Sequence, residues 1–255
     1  MIMNEGNVST RLENGIATIT FFHPQSNSLP GVLLRNLAAE IAAAGINPDA
    51  RVIVLRSEGE KAFCAGASFD ELVAIKEQKA GDLFFSGFAL VINAMRKAPK
   101  LIIARVQGKA VGGGVGIAAA ADYAIAVESA SVKLSELAVG IGPFVVGPAV
   151  ERKIGTSAFT SLAINATEWR DAKWALQHGL YADVYPTIET LDAAVDALAQ
   201  KLASSNPEAM LELKKIAWQG TEHWDTLLFE RAGISGRLVL SEFTVNAIKK
   251  FKGKG

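Results

Sequence analysis

The fold of this protein is decided by the stretch LIIARVQGKAVGGGVGI, which runs from Leu101 to Ile117. Its beginning, Leu101–Val106, is almost entirely apolar and predicts a buried strand. Three consecutive glycines follow at Gly112–Gly114, and the alanine-rich residues after them favour a helix. Glycine lets a ligand or a second backbone approach the main chain closely, and the free amides at a helix start attract negative charge. The stretch therefore predicts a strand followed by a helix whose beginning either binds an anionic group or packs tightly against a neighbour.

The residues before this stretch alternate between strand and helix patterns. Val8–Leu12 and Ile16–Phe22 flank Asn14-Gly15, whose two residues tolerate positive φ, so we expect a β-hairpin. Apolar residues at helical spacing follow, and Asn47-Pro48-Asp49 separates them from a buried strand at Val52–Leu55. Such alternation argues for parallel strands joined by crossover helices.

A second amphipathic helix precedes the central stretch, and further strands follow it. The helix is expected to end at Ala98-Pro99, because proline disfavours helical geometry in the residue before it. Tyr123–Val127 and Ser131–Leu134 continue the strand pattern. The apolar face of the helix carries Phe84, Phe88, Val91, Ile92 and Met95.

Beyond about Gly155 the pattern becomes mainly helical. Apolar residues recur at helical spacing, and the short run Ala182–Tyr185 is the one further strand that we expect. Asn206 and Pro207 predict a sharp helix start, since asparagine caps well and proline suits the first helical position. The chain is therefore expected to form an α/β domain with a helical subdomain after it.

Composition and charge narrow the possible functions. The chain has 255 residues, and 50% of them are hydrophobic, which is enough to bury a large core. Lys+Arg number 26 and Asp+Glu also number 26, so no excess positive charge favours nucleic acid as a partner. The longest uncharged apolar run, Leu137–Val150, is too short and too rich in glycine and proline to span a bilayer. We expect a cytoplasmic protein with neither a nucleic-acid nor a membrane partner.

The few cysteine and histidine residues do not suggest a disulfide or a metal site. Cys64 is the single cysteine and has only Lys61 as a basic neighbour in sequence, so we interpret it as a packed residue rather than a nucleophile. His23, His178 and His223 are too scattered to indicate shared metal ligation. We therefore predict no metal and no cofactor.

A second loop of small residues follows the buried strand that begins at Val52. The side chains of Ala65, Gly66 and Ala67 leave room for a ligand to lie against the backbone. An exposed amide of this loop could face one from the glycine triplet, and two donors aimed at one oxygen form an oxyanion hole. The two loops together favour a substrate that develops negative charge on an oxygen.

These motifs resemble those of the crotonase superfamily, also called the enoyl-CoA hydratase/isomerase family. The resemblance extends over nearly the full length, and several independent motifs occur in the family's order and spacing. The matching segments are Phe63–Ala67, Gly108–Gly114, Ala121–Ala126, Ser135–Gly140, Asn165–Ala172 with Gly179-Leu180, and Asn206–Ala209.

The resemblance implies a crotonase-like ββα spiral core in residues 1–190 and a C-terminal helical trimerisation region in residues 191–255. It also implies assembly as a homotrimer or as a hexamer, a dimer of trimers. The implied partner is an acyl-CoA thioester, in which coenzyme A is part of the substrate and not a separate cofactor.

The resemblance also assigns roles to individual positions. The amides of Ala67 and Gly113 match the donors that hold the thioester oxygen as it becomes enolate-like, and Glu136 matches the family's acid/base. A helix that begins near Gly113 would add its dipole to this stabilisation. The implied substrate-binding positions are Ala65, Gly66, Ser68, Phe69, Gly112, Gly116 and Phe144.

Three positions depart from the family's pattern. Hydratases of the family usually carry a second glutamate at the position of Gly116, so one of two carboxylates is missing. The turn Gly142–Pro148 replaces the usual Pro-Gly turn, and Phe144 within it is either a wall of the acyl pocket or a core aromatic. Ser68 stands where an acidic residue is usual, and we expect this change to concern loop structure rather than chemistry.

One carboxylate leaves several reactions open. We expect an enzyme of the enoyl-CoA hydratase/isomerase type, and isomerisation of a double bond requires only one group to move a proton. Hydration stays possible if Glu136 also holds the water, and a branched acyl-CoA enzyme, methylglutaconyl-CoA hydratase-like or decarboxylating, is an alternative. A catalytically silent paralogue that binds acyl-CoA or has a structural role is the alternative from another class.

Overall fold

The computed structural model describes residues 6–252, and its centre is a six-stranded sheet. The strands in chain order are β1 (Asn7–Glu13), β2 (Ile16–Phe22), β3 (Ser28–Leu29), β4 (Val52–Ser57), β5 (Ala62–Cys64), β6 (Gly66–Ala67), β7 (Leu101–Val106), β8 (Lys109–Val111), β9 (Tyr123–Val127), β10 (Ser131–Lys133), β11 (Arg170–Asp171) and β12 (Asp183–Tyr185). The order in the large sheet is β1-β2-β4-β7-β9-β12. The pair β1–β2 is antiparallel and every other pair is parallel, as the alternating sequence pattern predicts.

Helices connect and cover the strands. They are α1 (Gly31–Ile46), α2 (Phe69–Ala74), α3 (Gln78–Lys97), α4 (Gly113–Ala120), α5 (Gly147–Ile164), α6 (Ala172–Gln177), α7 (Ile188–Ala203), α8 (Pro207–Ala217), α9 (Trp224–Leu238) and α10 (Glu242–Lys252), with a short 3-10 helix at Glu136–Val139. The α/β class and the helix-rich C-terminal part agree with the expectation from the sequence.

The predicted hairpin is confirmed. Residues Asn14 and Gly15 take φ values of 51° and 78° between β1 and β2, the geometry of a two-residue hairpin turn. Along β2, side chains alternate between buried and partly exposed, and Ala17, Ile19 and Phe21 face the core. The hairpin therefore supplies one edge of the sheet.

Two smaller sheets carry the loops of interest. One has the order β11-β10-β8-β5, and the other pairs β3 with β6. Strand β11 corrects the expectation that no strand besides Ala182–Tyr185 follows Gly155. It is only two residues long and is defined by its pairing with β10, a long-range contact that local sequence patterns do not reveal.

Helix α7 belongs to the sheet layer. It packs on β4, β7 and β9 and buries Leu191, Val195 and Ala199. The predicted boundary between residues 190 and 191 falls inside this helix, and the division into a core and a trimerisation region stays a prediction. Strand β4 has buried residues at successive positions from Val52 to Leu55, so both faces of the sheet are covered there.

A buried ion pair fastens the C-terminal helices to the sheet. The Asp122 carboxylate accepts hydrogen bonds from the Ile102 amide at 2.8 Å and the Trp218 indole at 2.7 Å. The Lys214 ammonium lies 3.0 Å from the same carboxylate and also donates to the Met95 carbonyl at 2.8 Å. Removal of one partner would leave a buried charge, which is strongly destabilising. The network holds α8 against β7, the strand that leads to the glycine stretch.

Candidate active site

A cavity of about 750 Å³ opens between the two loops singled out in the sequence. Its walls come from the segment between β5 and α2, from α3, from the start of α4, and from the 3-10 helix with the turn after it. Most of its lining is apolar, as is usual for a site that binds a small organic molecule. Its lining includes Ala65, Gly66, Ala67, Phe69, Phe84, Phe85, Phe88, Val111, Gly112, Gly113, Lys133, Ser135, Glu136, Val139, Ile141, Phe144, Val146, Thr167 and Ser235.

The glycine stretch forms the floor of the cavity. Gly112 has φ 53°, its amide donates to the Lys133 carbonyl at 2.8 Å, and its own carbonyl accepts the amides of Val115 and Gly116. Helix α4 begins at the next residue, Gly113, so the Gly113 amide is one of the first-turn donors that have no partner within the helix. A free backbone donor therefore lies at the cavity wall.

Close packing explains why these positions are glycine. A Cβ atom on Gly113 would lie 2.1 Å from Cζ of Phe88, and one on Gly114 would lie 2.4 Å from the Cys64 carbonyl oxygen. Both distances are shorter than real Cβ contacts. Tight packing therefore explains the triplet and also brings the backbone of α4 to the cavity, where binding of an anionic group stays a prediction.

The second loop approaches the first. Gly66 has φ 93°, and a Cβ there would lie 3.1 Å from the Val111 carbonyl oxygen and 3.8 Å from the Gly113 nitrogen. Ala67 is paired with Leu29, whose carbonyl accepts the amide of Ser68 at 3.1 Å. In a parallel ladder the groups of successive residues point to opposite sides, so the Ala67 amide points away from β3. Ala67 and Gly113 both line the cavity.

Glu136 supplies the carboxylate of the site. It is the first residue of the 3-10 helix, and a Cβ on Gly112 would lie 2.8 Å from its Oε1 atom. Its Oε2 atom is buried and has no hydrogen-bond partner in the described part of the chain. Burial raises the pKa of Glu136 to about 7, although a backbone hydrogen bond opposes the shift. A carboxylate with this pKa can both accept and return a proton near neutral pH.

Val146 occupies the space beside Gly116, where the resemblance leads us to expect a second glutamate. A Cβ on Gly116 would lie 2.5 Å from Cγ1 of Val146, and Val146 is only 4% exposed. Val146 lines the cavity, whereas Gly116 is not among its lining residues. This side of the site is apolar.

The turn between the 3-10 helix and α5 closes the apolar end. Phe144 lines the cavity, and its ring lies over Gly142, where a Cβ would approach Cζ of Phe144 to 2.4 Å. The Phe144 carbonyl accepts a hydrogen bond from Arg231 of α9 at 3.4 Å. Phe144 thus lines the cavity, and its role as a wall of the acyl pocket stays a prediction.

Ser68 has a different position from the other predicted residues of this loop. Its side chain accepts the Glu71 amide at 3.3 Å and caps α2, and the residue is 4% exposed. It is not among the lining residues, whereas its neighbours Ala67 and Phe69 are. The structure therefore brings together all the predicted site residues except Ser68 and Gly116.

Several lining residues were not predicted from the sequence. The α3 residues Phe84 and Phe88 were interpreted as the apolar face of a helix, and with Phe85 they also form a wall of the cavity. Lys133 and Ser235 reach the lining from β10 and α9. The amphipathic pattern of α3 was a signal for the first group, but no local pattern indicates the other two.

Cys64 is a packed thiol beside the cavity rather than a part of it. It is fully buried, its sulfur accepts the Gly66 amide at 3.4 Å, and burial raises the pKa of the thiol to about 12. A nucleophilic cysteine requires a thiolate, which this environment disfavours. Among residues 6–252, no group of three or more histidine, cysteine or acidic residues could hold a metal, and no helix is long and apolar enough to cross a membrane.

Comparison with known proteins agrees with this architecture. The family model for enoyl-CoA hydratase/isomerase matches residues 11–234. The chain is 31% identical over 217 residues to (E)-benzylidenesuccinyl-CoA hydratase of Thauera aromatica. The aligned region covers 84% of this chain and 83% of that protein. It is 33% identical over 200 residues to the mitochondrial methylglutaconyl-CoA hydratase of Homo sapiens. The aligned region covers 77% of this chain and 58% of that protein.

Solved structures give the same fold. The crystal structure of enoyl-CoA hydratase from Bacillus halodurans superimposes with a TM-score of 0.88 at 20% identity, covering 95% of this chain and 99% of that chain. The expected crotonase-like α/β fold with C-terminal helices is thereby confirmed. With a family model matched over residues 11–234, the chain belongs to the enoyl-CoA hydratase/isomerase family of the crotonase superfamily, whose members act on acyl-CoA thioesters.

Proposed function

We propose that this protein moves the double bond of an enoyl-CoA thioester, with Glu136 as the group that carries the proton. The observation that carries the proposal is the Glu136 carboxylate, which has a buried oxygen without a partner in the described residues and lies against Gly112. An acceptor left unsatisfied in a substrate-sized cavity is available to a substrate proton.

In the proposed reaction, the thioester oxygen lies between the amides of Ala67 and Gly113. Glu136 removes a proton from the carbon next to the thioester of a 3-enoyl-CoA, and the electron pair moves onto the thioester oxygen as a dienolate. The protonated Glu136 then returns the proton to the carbon at the far end of the former double bond, which yields the 2-enoyl-CoA. Removal of one backbone donor from such a site typically slows the reaction by about 100-fold or more.

The apolar side of the cavity favours this reaction over water addition. Hydration requires a water that is held for attack on the β-carbon, and a pair of carboxylates holds such a water well. Here Val146 lies beside Gly116, so this side offers no second acid. The apolar lining also limits the water that could protonate the dienolate. Proton transfer by a single carboxylate is therefore the chemistry that the site supports best.

Hydration is the second candidate, and the relatives favour it. Two of them are named as hydratases, of (E)-benzylidenesuccinyl-CoA and of methylglutaconyl-CoA. In this case Glu136 would both orient and deprotonate the water, with a backbone group as the second support. A branched acyl-CoA decarboxylase and a silent acyl-CoA-binding paralogue are the further alternatives.

The test is an assay of the purified protein against 2-enoyl-, 3-enoyl- and 3-methylglutaconyl-CoA esters, followed by absorbance and mass spectrometry. A shift of the double bond at constant mass supports isomerisation, and a gain of one water supports hydration instead. Loss of carbon dioxide supports the decarboxylase, and no turnover of any ester contradicts the proposed function.

Two variants assign the proton transfer. Glu136→Gln is expected to lower kcat by about 1000-fold, because general acid–base catalysis commonly contributes about 100- to 10,000-fold. Glu128→Gln is the matched control, since Glu128 is exposed and lies outside the cavity lining. Equal activity of the two variants would show that Glu136 does not carry the proton.

A further inference from the structure

Two lysines and a tryptophan meet on one face of the small sheet that contains β8, β10 and β11. The ammonium of Lys133 lies 4.5 Å from the centre of the Trp169 ring, and that of Lys109 lies 5.1 Å from it. The strand registers explain why these side chains meet. Lys133 of β10 is paired with Val111 of β8, which lies two residues after Lys109. On the other side, β11 runs antiparallel to β10, and this register places Trp169 opposite Lys133. Residues paired across strands point to the same face, so the side chains of Lys109, Lys133 and Trp169 share it.

The charge of this cluster is not balanced by an ion pair. Neither Lys109 nor Lys133 forms a salt bridge with any residue that the structure describes. Asp171 lies on the same face, but its carboxylate accepts the Trp174 amide at 2.7 Å and caps α6. Two ammonium groups around one aromatic ring attract an anion more strongly than either lysine alone.

The cluster adjoins the candidate active site. Lys133 and Val111 both line the cavity, and the Lys133 carbonyl accepts the amide of Gly112. Trp169 is 41% exposed and offers a flat surface at this end. Lys133 lines the cavity, whereas Lys109 and Trp169 lie outside its lining, so the cluster is a cationic surface that adjoins the cavity at Lys133.

We propose that Lys133 and Lys109, arranged around Trp169, bind an anionic group of the thioester substrate. The group is a phosphate of its coenzyme A part or a carboxylate of its acyl part, which an ammonium recognises by the same charged hydrogen bonds. The identity of the ligand as a thioester rests on the proposed function, whereas the anion preference rests on the cluster itself.

The experiment measures binding without turnover, by titration calorimetry with four unreactive ligands. Pantetheine and coenzyme A differ by the phosphates and the nucleoside. Pentanoyl-CoA and glutaryl-CoA have acyl chains of equal length and differ by a terminal carboxylate. The protein variants are Lys133→Gln, Lys109→Gln and the control Lys201→Gln, which removes one charge from an exposed lysine of α7.

Loss of Lys133 is expected to raise the Kd of the recognised ligand about tenfold, and loss of the more exposed Lys109 about threefold. Both effects should shrink as salt is added, because ions screen exposed charges. Trp169→Leu should also weaken binding of that ligand, and thermal melts of all variants establish that they remain folded.

The ligands separate the two sources of the anion. Weaker binding of coenzyme A with unchanged pantetheine identifies a phosphate, and weaker binding of glutaryl-CoA alone identifies an acyl carboxylate. If Lys133→Gln and Lys109→Gln bind all four ligands as Lys201→Gln does, the anion site is refuted. If ligand binding depends on the two lysines but the enzyme assay shows no turnover of any ester, the proposed isomerase activity is refuted and the anion site is not.

Discussion

Gly112 and Gly116 are one helical turn apart at the start of α4. A charged group fills the space beside the first glycine, and an apolar group fills the space beside the second. Beside Gly112 lies the Glu136 carboxylate, whose Oε1 is 2.8 Å from the place of a Cβ. Beside Gly116 lies the Val146 side chain, with Cγ1 at 2.5 Å from the corresponding place. The same residue type makes room for a carboxylate on one side and for an apolar side chain on the other.

The difference concentrates the proton chemistry in one group. Burial among apolar groups raises the pKa of the carboxyl because it disfavours the charged form, and a backbone hydrogen bond offsets only part of this shift. The burial that raises the pKa of Glu136 to about 7 is thus linked to the apolar wall that includes Val146. The contact between Gly112 and Glu136 and the contact between Gly116 and Val146 can each be changed separately by mutation.

Among changes that leave the Glu136 side chain itself intact, the largest expected effect follows from a methyl group at Gly112. In Gly112→Ala the new Cβ would meet Glu136 Oε1 at 2.8 Å and must shift the carboxylate away from its position beside Gly112. A misplaced catalytic group costs about 100-fold in rate, so kcat/KM should fall by about that factor. Steady-state kinetics on the best enoyl-CoA ester measures it.

Gly220→Ala is the control for backbone strain. Gly220 also has a positive φ, 83°, but a Cβ there meets nothing within 4 Å. Both variants should lose about 1 kcal/mol or more of stability from the positive φ, and only Gly112→Ala should lose activity. Equal activities would contradict the role assigned to the contact with Glu136.

The next effect concerns stability and its dependence on pH. Because burial raises the pKa of Glu136 from 4.5 to about 7, the folded state binds the proton more tightly than the unfolded state. Stability is therefore lost as pH rises from about 4.5 to about 7 and is level above that range. Glu136→Gln is neutral at every pH and should be more stable than the wild type at pH 8 by about 3 kcal/mol.

Urea unfolding at pH 4 and pH 8 checks this expectation. The gain from Glu136→Gln should vanish at pH 4, where the wild-type carboxyl is protonated in both states. Glu128→Gln, at an exposed position, is the control that removes a carboxylate elsewhere on the chain. A gain that is the same at both pH values would mean that the buried charge is not its cause.

Activity should follow the same titration in the opposite direction. Glu136 must be ionised to accept a proton, so kcat/KM should fall about tenfold for each pH unit below about 7 and level off above it. A pH profile of the wild type from pH 4 to pH 9 measures the midpoint. A midpoint near the ordinary value for glutamate, about 4.3, would show that the site is wetter than its apolar lining suggests.

Sequence patterns anticipated those parts of the molecule that depend on neighbouring residues. The hairpin at Asn14-Gly15, the strand Leu101–Val106 and the cap at Asn206 were predicted because each is set by local chemistry. The two loops were predicted from their glycines and small residues, and the resemblance to a family assigned the acid/base role to Glu136. Neither source predicted that Val146 fills the space at Gly116, since that contact joins residues from different elements through packing.

The smallest expected effect tests whether Gly116 and Val146 form a matched pair. In Gly116→Ala the new Cβ would meet Val146 Cγ1 at 2.5 Å and Cβ at 2.7 Å, whereas Val146 Cα is 3.6 Å away, an ordinary contact. Gly116→Ala alone should lose about 1–3 kcal/mol by overpacking, and Val146→Gly alone should lose stability by leaving a cavity.

In the double variant the added methyl group occupies part of the space that Val146 vacates. The combined loss measured by urea unfolding should therefore be smaller than the sum of the single losses by about 1 kcal/mol. Strict additivity would mean that the cavity wall relaxes around either change, in which case Val146 would not be what keeps a side chain out of position 116. A positive coupling would instead identify the valine as the structural counterpart of the missing carboxylate, because the space beside Gly116 would then be closed to any larger residue until Val146 is reduced.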